Sequence, residues 1–218
     1  ACTFAWFDKY YPRADAAMRS FRVYPEPAGS NDQKKEFTQQ HTAGLDRYKK
    51  EQYREALALF QKAAALIPEY PEIHGLVGQT ALKLNDYVTA EKAYRKALAI
   101  DPEDAGSHYN LGLCLLQQSK HAAAIEEFAQ AVSRMPDFEP AMTNLGVAYL
   151  ATDQAAKAKE ILEKALELEP ESVAPHLNLG LALEKLGDKK GAAREFKEVL
   201  KLDPNHAGAK DGLARTSK

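Results

Sequence analysis

The sequence predicts an all-α fold, an α-solenoid of five helix-turn-helix repeats. Three observations predict it: a period of 34 residues that recurs five times without an insertion, small residues at fixed places in each period, and a proline that closes each period. One hairpin of this length cannot bury its own apolar face, so successive hairpins must stack to form a core. We place the repeats at residues 37–70, 71–104, 105–138, 139–172 and 173–206.

Small residues mark the places where the two helices of each hairpin are predicted to cross closely. The eighth place of every repeat is glycine: Gly44, Gly78, Gly112, Gly146 and Gly180. The twentieth place is always alanine: Ala56, Ala90, Ala124, Ala158 and Ala192. Four residues later, on the same face of the second helix, stands a bulky residue: Phe60, Tyr94, Phe128, Leu162 and Phe196. The bulky residue is expected to fill the gap that the small residues leave.

Turn and stop signals delimit the helices. Because proline cannot donate a hydrogen bond to the preceding turn, it ends each repeat: Pro68, Pro102, Pro136, Pro170 and Pro204. Short turn-forming stretches such as Leu84–Asp86 and Leu186–Asp188 separate the helices of a hairpin. Residues 207–218 begin a sixth first helix and are predicted to form a C-terminal capping helix.

This pattern of glycine, alanine, bulky residue and proline at a period of 34 resembles the tetratricopeptide repeat. The resemblance covers residues 37–206 and implies a right-handed solenoid that acts as a non-enzymatic scaffold or adaptor for other proteins. One departure is the fourth place, where the family favours tryptophan. This chain has other residues there: Gln40, His74, His108, Met142 and His176.

The resemblance also implies a concave groove along the first helices, which binds a partner helix or an extended peptide. We expect it to be lined by residues at the fifth, sixth, ninth and twelfth places: Leu45, Tyr48, Gln79, Leu82, Tyr109, Asn110, Leu113, Leu116, Asn144, Val147, Asn178 and Leu181. The asparagines recur at one place in three consecutive repeats, and an amide can donate and accept at once, which suits a peptide backbone. The alternative is that several of these side chains are core shared between neighbouring repeats.

The sequence offers little for catalysis, metal binding or nucleic acid. It has no glycine-rich phosphate loop, no nucleophile elbow and no zinc-type Cys/His spacing, so we expect no enzyme activity, no cofactor and no metal. His74, His108 and His176 share one place, but packed helix axes are ~8–10 Å apart, too far for ligands of one ion. A net charge of −2 does not favour nucleic acid. No Lys or Arg occupies a fifth place, which argues against a carboxylate clamp of the co-chaperone kind.

Residues 1–36 do not fit the repeat. Residues 1–24 contain seven aromatic residues: Phe4, Trp6, Phe7, Tyr10, Tyr11, Phe21 and Tyr24. Residues 25–30 have the composition of a linker, and Ser30 with Gln33 predicts a capping box for the first repeat helix. One interpretation is a cap that folds over the first repeat. The other is a docking segment whose residues Trp6, Phe7, Tyr10 and Tyr11 contact a partner subunit or a membrane surface.

The docking interpretation leads to an alternative function, a structural subunit that self-assembles head to tail or joins a larger envelope complex. Cys2 near the chain start is a candidate for lipidation, so membrane association, peripheral or lipid-anchored, remains an alternative. These features favour an exported, envelope-associated bacterial protein, with a cytoplasmic protein as the alternative. Cys114 falls in a first helix and is expected to be a small core residue.

Overall fold

The computed structural model describes residues 29–216, and all regular secondary structure in that range is α-helical. The helices are α1 (Asn31–Lys49), α2 (Tyr53–Leu66), α3 (Pro71–Lys83), α4 (Tyr87–Ile100), α5 (Ala105–Gln117), α6 (His121–Arg134), α7 (Glu139–Ala151), α8 (Ala155–Leu168), α9 (Val173–Lys185), α10 (Lys189–Leu202) and α11 (Ala207–Thr216). The predicted fold class is confirmed. The predicted docking residues Trp6, Phe7, Tyr10 and Tyr11 and the candidate lipidation site Cys2 lie outside the described residues.

The chain forms two compact units, which meet in sequence between Gln118 and Ser119. In the first unit each helix from α1 to α4 packs against the next, and α3 also touches α5. In the second unit each helix from α6 to α10 packs against the next. There α9 also touches α7 and α11, so first helices of successive hairpins are in contact.

The predicted interlocking of glycine with a bulky residue is confirmed in four hairpins. A Cβ atom placed on the glycine would collide with the bulky side chain of the second helix. The distances to the nearest atom would be 2.5 Å from Gly44 to Phe60, 2.7 Å from Gly78 to Tyr94, 2.6 Å from Gly146 to Leu162 and 2.6 Å from Gly180 to Phe196. Real Cβ atoms do not approach other atoms this closely, so only glycine permits this helix crossing.

The turn inside each hairpin contains a residue in the left-handed region. The φ angles are 59° at Glu51, 58° at Asn85, 58° at Ser119, 56° at Asp153 and 84° at Gly187. Only the last of these is glycine, the residue that adopts this conformation without strain. The other repeats therefore carry a small local strain at the same place.

Both ends of the described range are held by side-chain contacts. At the start, Ser30 Oγ accepts from the Gln33 backbone N–H at 3.3 Å, and Gln33 Oε1 accepts from the Ser30 backbone N–H at 3.0 Å. This confirms the predicted capping box, and it makes α1 begin at Asn31 rather than at residue 37. At the other end, α11 packs against α10, with Gly212 directly against the Phe196 ring.

The core contains the predicted small and bulky residues. Cys114 is fully buried, which confirms its predicted place in the core, and burial raises the pKa of its thiol to about 12.

Among residues 29–216, none of the helices combines the length and the apolar content needed to cross a bilayer.

Candidate protein-binding surface of the first helices

In each unit, the ninth place of every first helix holds a partly exposed side chain. All five are half-buried: Leu45, Gln79 and Leu113 in the first unit, and Val147 and Leu181 in the second. Four of these five side chains are apolar, and the fold leaves part of each uncovered. We call these residues the ninth-place row of each unit. Each unit therefore has apolar surface on its first helices that intramolecular packing does not bury.

Three of the predicted groove residues have little surface left for a partner. Leu82, Tyr109 and Asn110 are all buried. Leu82 follows Gly78 by four residues, which places it on the helix face that meets the second helix of the hairpin. Tyr109 precedes Gly112 by three residues on α5 and is 4% exposed. The burial of these three residues fits the alternative interpretation, in which they are core residues.

The other twelfth-place residues are half-buried. Tyr48 packs edge-on against Tyr53 of α2, with ring centroids 5.2 Å apart. Leu116 is half-buried on α5. These side chains lie between the core and the surface and border the ninth-place row.

The three asparagines of the predicted ladder differ in their surroundings. Asn144 Nδ2 donates to the Pro140 carbonyl, and Asn178 Nδ2 donates to the Ala174 carbonyl, each at 2.9 Å on its own helix. Both are half-buried, whereas Asn110 is only 4% exposed. Binding to its own helix holds the Asn178 side chain in one orientation, and its Oδ1 atom can still accept from a partner.

The histidines of the fourth place tie each repeat to the one before it. In each case Nε2 donates to the carbonyl of the preceding closing proline: His74 to Pro68 at 2.7 Å, His108 to Pro102 at 3.0 Å, and His176 to Pro170 at 2.9 Å. Within the described residues, no group of three or more His, Cys, Asp or Glu side chains could hold a metal ion.

His176 makes a second contact that links α9 to α10. Its Nδ1 atom lies 2.7 Å from Glu195 Oε2. The hydrogen bond with the Glu195 carboxylate raises the pKa of the His176 imidazole above its ordinary value. Glu198 adds a smaller contribution in the same direction.

A buried carboxyl group in the second unit escaped the sequence analysis. Glu139 is 1% exposed, and Thr143 Oγ1 donates to its Oε1 at 2.6 Å. Burial raises the pKa of Glu139 to about 7. Its position in the repeat is the sequence signal that could have identified it, because Glu139 occupies the first place of a repeat. The other repeats have uncharged residues there: Phe37, Pro71, Ala105 and Val173.

The sequence profile of the tetratricopeptide repeat matches the chain at residues 41–105, 78–140 and 143–207, and a second profile of that name matches residues 115–167. Together these matches cover well over half of the chain. The chain belongs to the tetratricopeptide repeat family. Proteins of this family are in general protein-interaction scaffolds rather than enzymes.

Several solved tetratricopeptide repeat structures are similar to this chain. MamA from Desulfovibrio magneticus RS-1 is 26% identical, with a TM-score of 0.74, and the match covers 79% of this chain and 97% of that one. YrrB is 18% identical, with a TM-score of 0.72 and coverage of 79% and 89%. PilF from Pseudomonas aeruginosa is 21% identical, with a TM-score of 0.69 and coverage of 85% and 90%. No curated protein sequence matches the chain.

Proposed function

We propose that this tetratricopeptide repeat protein is a non-enzymatic scaffold that holds a partner helix or an extended peptide on its first helices. The observation that supports this most directly is the ninth-place row, which is half-buried in every repeat. Fully burying an aliphatic side chain of this size contributes about 1.5–3 kcal/mol, so covering the exposed parts of several such side chains would favour association. Apolar surface that a fold leaves uncovered is typical of interaction sites.

The chemistry of this surface favours an uncharged partner segment. The fifth, sixth and ninth places of the repeats contain no Lys, Arg, Asp or Glu. Gln79 in the first unit and Asn178 in the second each contribute an amide group beside apolar ninth-place side chains, and amides pair with the backbone of an extended peptide. One structural neighbour, YrrB, is described as a protein with an unusual peptide-binding site, which is consistent with a peptide ligand on this fold.

A pair of double variants in the second unit tests this proposal. Val147→Lys with Leu181→Lys places two charges on the ninth-place row. The matched control, Leu168→Lys with Leu202→Lys, makes the same change at side chains that are 44% and 40% exposed at the ends of second helices. Proteins that co-purify with the full chain from native lysate should be lost with the first variant and kept with the control. Equal recovery with both variants would contradict the proposal.

A second candidate function is assembly through residues 1–36, favoured by the seven aromatic residues within residues 1–24. Trp6, Phe7, Tyr10 and Tyr11 would then contact another copy of the chain, an envelope complex or a membrane surface. Removing residues 1–28 keeps the Ser30 capping box. We expect the full chain to form oligomers in sedimentation velocity or to bind lipid vesicles. This truncation should abolish that property without destabilising the repeats in thermal melting. If both properties match those of the full chain, this candidate fails.

A further inference from the structure

Glu139 places a carboxyl group inside the protein at the start of α7. Its side chain is 1% exposed, and its Oε1 atom accepts from the Thr143 hydroxyl at 2.6 Å. Its Oε2 atom is buried and has no hydrogen-bond partner among residues 29–216. A carboxylate offers about four lone-pair sites, and a single hydrogen bond satisfies one of them. An ionised Glu139 would therefore be poorly compensated at this position, which is unfavourable for a buried charge.

Within the described part of the chain, Glu139 has no cationic partner. Helix α7 packs against α6, α8 and α9, and Glu139 is the one acidic or basic residue of α7 itself. The charged groups of these elements that come nearest to the start of α7 along the fold are Arg134 and Asp137 at the end of α6, Glu167, Glu169 and Glu171 at the end of α8, and His176 in α9. The Arg134 guanidinium is bound on its own helix, and His176 contacts Glu195. Glu169 acts on Glu139 through space, and its negative charge disfavours the ionised form.

The protonation state of Glu139 therefore changes near neutral pH. Burial is the main cause, and it raises the pKa of the carboxyl group from an ordinary value of 4.5 to about 7, while the Thr143 hydrogen bond acts in the opposite direction. Glu169 adds to the increase. The neutral form carries no charge, so it fits a buried place that the carboxylate does not. The position of Glu139 suits the protonated side chain.

The repeat pattern does not require a carboxyl group at this place. The first place of the other repeats is uncharged, and their fifth place lacks the hydroxyl of Thr143. The first-place residues are Phe37, Pro71, Ala105 and Val173, and the fifth-place residues are His41, Gly75, Tyr109 and Leu177. Among the five repeats, only residues 139–172 combine a carboxyl group with a hydroxyl group four residues later. This pair is specific to one repeat, and it lies on the helix that also carries Val147 of the ninth-place row.

We propose that Glu139 is a pH-sensitive switch for the start of α7: the neutral carboxyl group keeps residues 138–143 packed, and loss of its proton releases them. Because the packed Glu139 binds its proton more tightly than a solvent-exposed glutamate does, its stabilisation is fully present below about pH 4.5 and is lost as the pH rises to about 7. Above that pH the carboxylate gains hydration only if the helix start moves away from the core. The released form is a local opening that leaves the rest of the second unit folded.

Hydrogen exchange of the full chain at about pH 5 and about pH 8 tests this switch. The amides of residues 142–146 report on the start of α7, and protection factors remove the direct effect of pH on the exchange rate. Their protection should fall about tenfold or more between the two conditions, because each pH unit between the two pKa values shifts the opening equilibrium about tenfold. In Glu139→Gln, which keeps the shape and stays neutral, protection should hardly change. The control Glu163→Gln removes an exposed carboxylate from α8 and should behave like the unchanged protein.

A second measurement follows the carboxyl group itself, and it remains decisive if Glu139→Gln does not fold. Carbon NMR of the Glu139 side chain in the unchanged protein should show a titration midpoint of about 7. Thr143→Val removes the hydroxyl that donates to the carboxyl group and should raise this midpoint, whereas Glu169→Gln removes a like charge and should lower it.

Three results would overturn the switch. The first is a titration midpoint close to the ordinary 4.5 of a glutamate. The second is a loss of protection in Glu139→Gln as large as that in the unchanged protein. The third is a loss spread evenly over residues 119–216, which would indicate unfolding of the whole second unit rather than a local opening at α7.

Discussion

His74 in the first unit and His176 in the second occupy the same place of their repeats and donate to the same kind of acceptor, the carbonyl of the closing proline before them. They differ in what stands 19 residues further on in the second helix. There the first unit has the buried Ala93, and the second has Glu195, which contacts His176 Nδ1 at 2.7 Å. The bond that the repeat geometry provides is common to both units, whereas the raised pKa of His176 depends on Glu195, a residue outside the repeat pattern.

The largest expected effect concerns an element that the two units share. Gly78→Leu in the first unit and Gly146→Leu in the second both force a side chain into a bulky neighbour within 3 Å. Each should lower the free energy of unfolding by about 2–3 kcal/mol, the upper part of the range for overpacking. Hydrogen exchange should show the loss of protection in the unit that carries the substitution.

Gly75→Leu is the matched control for this experiment, because it adds the same side chain to α3 where the space is open. Its free energy of unfolding should not fall. A uniform loss of protection along the whole described chain would contradict the expectation that damage stays local.

The second prediction contrasts two asparagines of the same place. Asn110 in the first unit is buried, whereas Asn178 in the second is half-buried and its Nδ2 donates to Ala174. Asn110→Ala should lower the free energy of unfolding by about 1–3 kcal/mol, since its removal disrupts a buried polar site. Asn178→Ala should change it by less than about 0.5 kcal/mol, because alanine is the better helix former. Urea denaturation measures both, and equal effects would show that burial does not separate these two places.

The third prediction uses pH to isolate the His176–Glu195 contact. Because Glu195 raises the pKa of His176, the folded protein binds this proton more tightly than the unfolded chain does. The resulting stabilisation is fully present below the unfolded pKa of about 6.5 and is lost as pH rises through the higher folded pKa. Glu195→Gln should remove about 1 kcal/mol at about pH 5.5 and much less at about pH 8.5.

NMR titration of the imidazole protons gives the direct measurement. In Glu195→Gln the pKa of His176 should fall, because the hydrogen bond with the carboxylate that raises it is lost. Glu167→Gln removes the same charge from the surface of the second unit and serves as the control. A His176 titration that Glu195→Gln leaves unchanged would exclude the carboxylate as the cause of the shift.

The smallest expected effect lies in the hairpin turns. Glu51 in the first unit has a φ of 59°, whereas the second unit has Gly187 at the equivalent place with a φ of 84°. Glu51→Gly should raise the free energy of unfolding by about 0.5–1 kcal/mol, because it relieves left-handed strain. Asn85→Gly should gain less, since asparagine tolerates this region. Thermal melting of the three proteins shows whether the gain follows this order.

The sequence by itself determined the features that depend on neighbours along the chain. The interlocking of Gly78 with Tyr94, the capping box of Ser30 and Gln33, and the turn at Asn85 all follow from residue types at fixed spacing within one hairpin or one helix end. Because a period of 34 residues repeats these local contacts along the chain, the fold class follows from the residue pattern alone.

Only the tertiary structure decided which of these places remain accessible and which acquire a partner. Leu82 and Leu113 are equally apolar in the sequence, yet the first is buried and the second half-buried. Gly75 and Gly78 are the same residue three positions apart, and only one is held against a neighbouring ring. The acidic partner of His176 lies on a different helix. Exposure and pairing of this kind depend on how stacked helices cover one another, and that arrangement is set by packing between helices rather than by spacing within them.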